Sequence, residues 1–384
     1  MSYCDYTLYP PGELGVDGVK LDELVARARR GIDQGPLPSL QIALAKNGKL
    51  ALFTTLGDAD NSQRYNIFSC TKPLVASAIW LLMTQGKLGI DQRVGELIPE
   101  LASSGIAQVT IEQLLCHTAG FPTAPLGPPA WLTRESRLEK MKSWRLNWEP
   151  GSRMEYHPTS AHWVLAEIIQ QLGGMDYRQF IHSEIISPLG LQDFQLGVPP
   201  NQQGNITTLS LVGTPPSTEE LEQIFGVAVE WPEITDEALL RFNESPTRAL
   251  GVPGGGAVAN AASIALFYQC LLHNPGELWD PEILADATGT IRVDMKDPTT
   301  GVAANRALGV VIAGDDGMAA RRSMGKTVSA SAFGHPGAGG QVAWADPVSG
   351  ISFCMLTNGL DANPIRAARF GTALSNRAAN CLAS

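Results

Sequence analysis

Strand-like text stands near both ends of this chain, and the long stretch between them reads as helix and loop. Leu40-Gln-Ile-Ala-Leu-Ala and Leu50-Ala-Leu-Phe flank an Asn47-Gly48 dipeptide. Asn-Gly supplies the left-handed residues of a tight turn, so residues 39–56 are expected to form two antiparallel strands. Strand text returns at 307–312, 340–345 and 351–357, before a closing helix at 365–378. The simplest assembly is one antiparallel sheet made from both chain ends, with the middle inserted beside it. The expected class is therefore α/β (α+β), an antiparallel sheet flanked by helices with an inserted, mostly helical domain. It is read as a single unit over 1–384, in which 20–65 and 300–384 form the sheet domain and 66–299 the mostly helical region.

The apolar period predicts a buried helix through positions 74, 75, 78, 79, 81 and 82 that ends near Gly86 and Gly89, and further helices at 21–32, 110–116, 134–142, 160–172, 177–186, 218–225, 259–272 and 281–288. Gly/Pro-rich loops separate them, notably 120–129 and 190–213. A formal net charge of −10 argues against a nucleic-acid binder, which needs a basic face to displace counterions. No 18-residue apolar stretch is present, and Met1-Ser-Tyr-Cys-Asp-Tyr lacks the basic start of a secretion signal. The expectation is a cytoplasmic protein without a membrane partner, or the mature form of a processed precursor. Six cysteines without a CxxC or tight cluster support neither a zinc site nor a disulfide framework, and no other cofactor or metal is implied.

Chemistry concentrates in three places. Ser69-Cys70-Thr71-Lys72 stands where strand text hands over to an apolar helix. At a spacing of three, Ser and Lys project from one helix face, and the helix start offers backbone N–H groups. Ser is also a common helix cap, and Ser323-Met-Gly-Lys326 repeats the spacing without the apolar helix. The second place is Tyr156, before the next helix, which becomes a base if a lysine ammonium stabilises its phenolate. His157 and His162 lie close by, the latter read as a helix-surface residue, and His117 is read as a structural hydrogen-bonding residue. The third is Phe333-Gly-His-Pro-Gly-Ala-Gly-Gly, where glycines either aim N–H groups at a ligand or form a tight turn with a bulge. G-x-S-x-G, Walker and H-E-x-x-H patterns are absent.

Together these pieces resemble the serine beta-lactamase-like superfamily, in its class C beta-lactamase, DD-peptidase and family VIII carboxylesterase branch. The marks are Ser69-x-x-Lys72, Gly89-Ile-Asp91, Ile111 to Gly120, Pro150-Gly151, Tyr156, Pro188-Leu-Gly190, Pro253-Gly-Gly-Gly256 and Gly334-His-Pro-Gly337, in the family's order. The resemblance implies a beta-lactamase/transpeptidase-like fold with the site in a cleft beside the sheet. It implies Ser69 as nucleophile, Lys72 as proton shuttle, Tyr156 as general base and leaving-group acid, and His335 as the first residue of the third motif. The N–H groups of Ser69 and Ala338 would form the oxyanion hole, with His157, Gly337 and Phe121 as candidate substrate contacts. Phe68, Phe121, Trp131, Trp148, Phe225, Trp231 and Phe333 are candidates to line an apolar cleft.

Two departures matter. Pro158 stands where the second motif usually offers a polar side chain, and His335 replaces a lysine, leaving little attraction for a substrate carboxylate. The expectation is a serine carboxylesterase that hydrolyses small esters through an acyl-enzyme, with water or an alcohol as acyl acceptor. The alternatives are an amide hydrolase, either a D-amino-acid peptidase or a weak beta-lactamase, an acyltransferase, and a non-catalytic relative that binds small acyl compounds.

Overall fold

The computed structural model describes residues 3–217 and 235–383. The hairpin forms as its turn demands: β1 (Ser39–Lys46) and β2 (Lys49–Gly57) pair antiparallel around Asn47 and Gly48, at φ 54° and 74°. Short strands follow at β3 (Tyr65–Asn66), β4 (Phe194–Leu196), β5 (Ser210–Val212) and β6 (Ala257–Ala259). The chain then adds β7 (Val311–Ile312), β8 (Phe333–Gly334), β9 (Val342–Asp346), β10 (Ile351–Thr357) and β11 (Gly359–Asp361). The main sheet runs β2-β1-β10-β9-β8-β7, antiparallel throughout, so both chain ends build it.

Residue alternation divides the core. In β1, Leu40, Ile42 and Leu44 point to one face with Phe353 and Met355 of β10. Helices Gly18–Asp33 and Pro364–Ala379 cover that face through Leu21, Leu24, Phe370 and Leu374. Ala43, Ala45, Cys354 and Leu356 point the other way, into the core shared with helices Lys72–Thr84, Ser160–Gly173 and Ala261–His273. Small residues on this second face let the 261–273 helix approach closely. Gln269 Nε2 on that helix donates to Ala45 O at 3.2 Å and to Ser352 Oγ at 3.0 Å. A sheet buried on both faces reads as continuous apolar text rather than as alternation.

Some expectations change. The strand expected at 307–312 shrinks to Val311–Ile312, because Gly309 turns the chain at φ 92° and its N–H bonds Ala307 O. The strand expected at 340–345 begins at Val342, since Gly339 and Gly340 take φ 71° and 92°. The helix expected at 177–186 is α-helical over Tyr177–Ile181 and π-helical over His182–Ile186. The helix expected at 218–225 lies outside the described residues. All six cysteines are buried. Among the described residues no helix is long and apolar enough to cross a membrane.

Trp344 tests the terminal-helix face. It is fully buried, its ring centroid is 5.7 Å from that of Phe353, and its Nε1–H donates to Ser375 Oγ at 3.2 Å. Trp344→Ala should cost about 3–5 kcal/mol through the cavity it leaves. Urea unfolding should show a lower midpoint at unchanged slope.

Candidate active site

The segment that carries Ser69 leaves β3 under constraint. Ile67 N–H bonds Ala257 O of β6 at 3.2 Å, and Thr71 Oγ1 accepts from Ala257 N at 3.1 Å. Between them Phe68 takes φ 46°, a left-handed conformation costly for a bulky side chain. The chain then makes a 3₁₀ turn over Phe68–Thr71 and enters the helix at Lys72. Lys72 has no solvent exposure, and its Nζ stands 3.1 Å from Ser69 Oγ. Two carbonyls complete its surroundings, Pro158 O and Gly254 O, each at 2.7 Å.

Tyr156 reaches the same serine, its hydroxyl donating to Ser69 Oγ at 2.7 Å. His117, at φ 62°, holds the Tyr156 loop: its carbonyl accepts from Glu155 N and its Nδ1 accepts from His157 N at 3.1 Å. Its ring centroid lies 4.7 Å from that of Tyr156. The structural hydrogen-bonding role expected of His117 is thus what the geometry displays.

The third segment docks against the first. A Cβ on Gly337 would stand 2.4 Å from Ile67 O, so glycine is what allows this approach. Cys70 S–H donates to His335 O at 3.1 Å. Ala338 and Ser69 line one cavity of about 480 Å³, walled by Phe68, Leu126, Trp131, Leu239, Phe242 and Val252. Arg241 is the only charged side chain on that wall among the described residues.

Several candidates stand elsewhere. His157 is wholly buried: its Nε2 accepts from Phe121 N at 3.1 Å and its Nδ1–H donates to Glu155 O at 2.6 Å. Both nitrogens are spent on backbone, so His157 braces the loop and does not face the cavity. Phe121 is equally buried, packed edge-on against His157 at 5.3 Å, and Phe333 is core too. Trp148 is absent from the cavity wall, whereas Phe68 and Trp131 are on it; Phe225 and Trp231 lie outside the described residues. His162, expected on a helix surface, is fully buried, and neither ring nitrogen has a hydrogen-bond partner among the described residues. His335 is buried behind its strand, with Nδ1–H donating to Pro336 O at 2.7 Å and Nε2 accepting from Arg306 Nη1 at 3.3 Å.

Arg306 is the residue that motif reading misses. Its guanidinium carbon lies 5.3 Å from the Tyr156 ring centroid. The one available signal was an isolated cation, the only charged residue between Asp297 and Asp315. Phe242, edge-on to Phe68 at 5.3 Å, belongs to no motif either.

The electrostatics follow from burial. Lys72 is held well below its ordinary pKa, first by desolvation and then by Arg306. Tyr156 is pushed up to about 12, because burial outweighs the hydrogen bond to Ser69 and the nearby Arg306. Both shifts favour the uncharged forms, a phenol and an amine. The phenolate base anticipated from sequence is therefore disfavoured, since the lysine expected to stabilise it is itself short of charge. A Cβ on Gly254 would stand 2.6 Å from Pro158 O and 3.5 Å from Lys72 Nζ. Gly254→Ala should part the two carbonyls from the amine and lower kcat at least about tenfold, a positional loss of the kind expected of a misplaced reacting group. A matched thermal midpoint, measured alongside kcat, would separate this from unfolding.

A protein-family model named Beta-lactamase matches residues 22–376. The esterase/beta-lactamase LipL of Mycobacterium tuberculosis is 23% identical over 309 residues, covering 77% of this chain and 69% of LipL. A family VIII carboxylesterase structure superposes with a TM-score of 0.74 at 21% identity, over 94% of this chain and 98% of that one. The D-amino acid amidase of Ochrobactrum anthropi SV3 superposes at 0.66 and 17% identity, over 94% and 98%. With the model spanning most of its length, this chain belongs to the beta-lactamase family of serine hydrolases.

Proposed function

We propose that the enzyme is a carboxylesterase in which Ser69 forms an acyl-enzyme with small esters carrying apolar groups. The observation that carries this reading is the convergence of Lys72 Nζ and Tyr156 OH on Ser69 Oγ beneath an apolar cavity. With the amine neutral, its two hydrogens go to Pro158 O and Gly254 O, and its lone pair faces Ser69. Ser69 Oγ–H then passes its proton to Lys72 as Oγ attacks the ester carbonyl. The N–H groups of Ser69 and Ala338 receive the oxyanion. On collapse, Tyr156 protonates the departing alkoxide and is reprotonated from Lys72. Water enters by the reverse relay, gives its proton to the Lys72/Tyr156 pair and releases the acid.

The preference for esters rests on how little the described residues of the cleft offer a carboxylate, Arg241 being the one cation among them on its wall. A peptide or beta-lactam substrate brings a carboxylate that needs an anchor. His335 is neutral, held well below its ordinary pKa by burial and by Arg306, and it is not on the cavity wall. Pro158 offers the cleft no side-chain hydrogen bond. LipL, named for both activities, and the amidase keep the amide reading in view.

Steady-state rates on a short-chain aryl ester and a chromogenic cephalosporin decide between them. Ester turnover should dominate, and Ser69→Ala should lower it by about three orders of magnitude or more. Cephalosporin turnover equal to the ester rate would overturn the ester preference, and ester turnover that survives Ser69→Ala would overturn the assignment of the nucleophile.

A further inference from the structure

Arg306 is 7% exposed, with little to neutralise it, and it shares the Tyr156 ring with Lys72: the ring centroid lies 5.3 Å from the guanidinium carbon and 4.9 Å from Lys72 Nζ. Its nearest carboxylate, Asp297, stands 3.9 Å from Nη2 and spends Oδ1 on Thr299 N. Its Nε has no hydrogen-bond partner among the described residues. Guanidinium keeps its proton even when buried, so a fixed positive charge stands under the site.

The titratable neighbours come from every side. The Ser69 segment contributes Lys72 and Cys70; the 110–118 segment, Cys116 and His117; the loop and helix after it, Tyr156, His157 and His162; the late loops, Asp297 and His335. All four histidines are held below their ordinary pKa, His157 at about 4. Cys70 and Cys116 are pushed upward by burial. These histidines and cysteines are all held toward their neutral forms, which leaves Lys72 and Tyr156 as the pair that a fixed charge can bias.

We propose that Arg306 is a positioning residue that acts through its charge, keeping the Lys72 amine in its proton-accepting form and thereby setting the pH range in which Ser69 is activated. This rests on the reading of Lys72 and Tyr156 as proton carriers for Ser69. The sign is fixed by electrostatics. A cation nearby disfavours the ammonium, so Lys72 loses its proton at lower pH with Arg306 present and at higher pH without it. Burial acts in the same direction, and Arg306 adds to it. The third motif supplies no such charge, because both His335 nitrogens are committed in the neutral ring.

The test is the pH dependence of the second-order rate at which a fluorophosphonate labels Ser69, a readout that does not depend on ester or amide preference. In Arg306→Met the acid limb should move to higher pH by about one unit, the order expected when a nearby like charge is removed. In Arg306→Lys it should stay close to that of the unaltered enzyme. Asp297→Asn, which removes the counter-charge, should move it to lower pH. A uniform slowing of Arg306→Met at every pH, with the limb unmoved, would make Arg306 a packing residue and overturn the proposal. If Arg306→Met does not fold, the other two variants decide: an unmoved limb in Asp297→Asn together with an upward shift in Arg306→Lys overturns it. Failure of the unaltered enzyme to label at Ser69 would overturn the reading of the nucleophile itself, whereas a labelled enzyme with an unmoved limb overturns only the role of Arg306.

Discussion

A lysine amine without access to water organises this site. Burying an ammonium costs several kcal/mol even after relaxation, so such a group is tolerated only where it is well partnered or neutral. Lys72 Nζ has three polar neighbours within 3.1 Å, and they come from three separate parts of the chain: Ser69 Oγ, Pro158 O and Gly254 O. Satisfying one nitrogen therefore fixes the nucleophile helix, the Tyr156 loop and the glycine turn at 253–256 relative to each other. Gly254 is the joint, since any side chain there would meet Pro158 O. Thr71 and Ala257 repeat the tie one step away, which makes the arrangement stiff rather than merely close.

That stiffness is needed because the backbone around the site is strained. Phe68, His117 and Asn305 take left-handed φ values of 46°, 62° and 45°. They lie beside Ser69, Tyr156 and Arg306 respectively. Such conformations cost on the order of 1–3 kcal/mol each outside glycine, least for asparagine. Each is over-determined by its surroundings. Phe68 is pinned between β3 and the Ser69 turn, His117 bonds the Tyr156 loop through both backbone and ring, and Asn305 O accepts from Ile312 N at 2.9 Å. Strain at these positions aims the side chains that follow or face them, which the fold holds in place through hydrogen bonds farther off.

Legibility in the sequence followed the range of the interaction that produces each feature. The hairpin was readable because Asn47-Gly48 encodes its own turn. The strand Ile351–Thr357 was readable as an apolar run between turn residues. Ser69, Lys72 and Tyr156 could be named because motif spacing singles them out, although only the fold brings the tyrosine to the serine. What was not legible depends on depth. His157, His162 and Phe121 sit near the motifs in sequence yet turn inward, and no local pattern separates a histidine that braces a loop from one that meets a substrate. Arg306 depends on contacts across 150 residues of chain and leaves only the trace of a lone charge in apolar text.

The distribution of charge links the activation of the serine to the choice of substrate. The cavity above Ser69 is almost uncharged, whereas the floor beneath Tyr156 holds a permanent cation that Asp297 offsets loosely. A neutral ester enters such a cleft without losing solvation of a charge of its own. Negative charge appears only as the tetrahedral intermediate forms, and a fixed positive potential then favours the intermediate over the bound ester. On the proposed roles, the same potential keeps Lys72 ready to take a proton before attack. A substrate carrying a carboxylate would face the reverse balance, because it gives up hydration on entry while the deepest cation stays out of its reach behind the Tyr156 ring. On that proposal the field that activates the nucleophile is too deeply placed to serve as a binding anchor, and the cleft would discriminate by the charge that develops in reaction rather than by the charge a substrate brings.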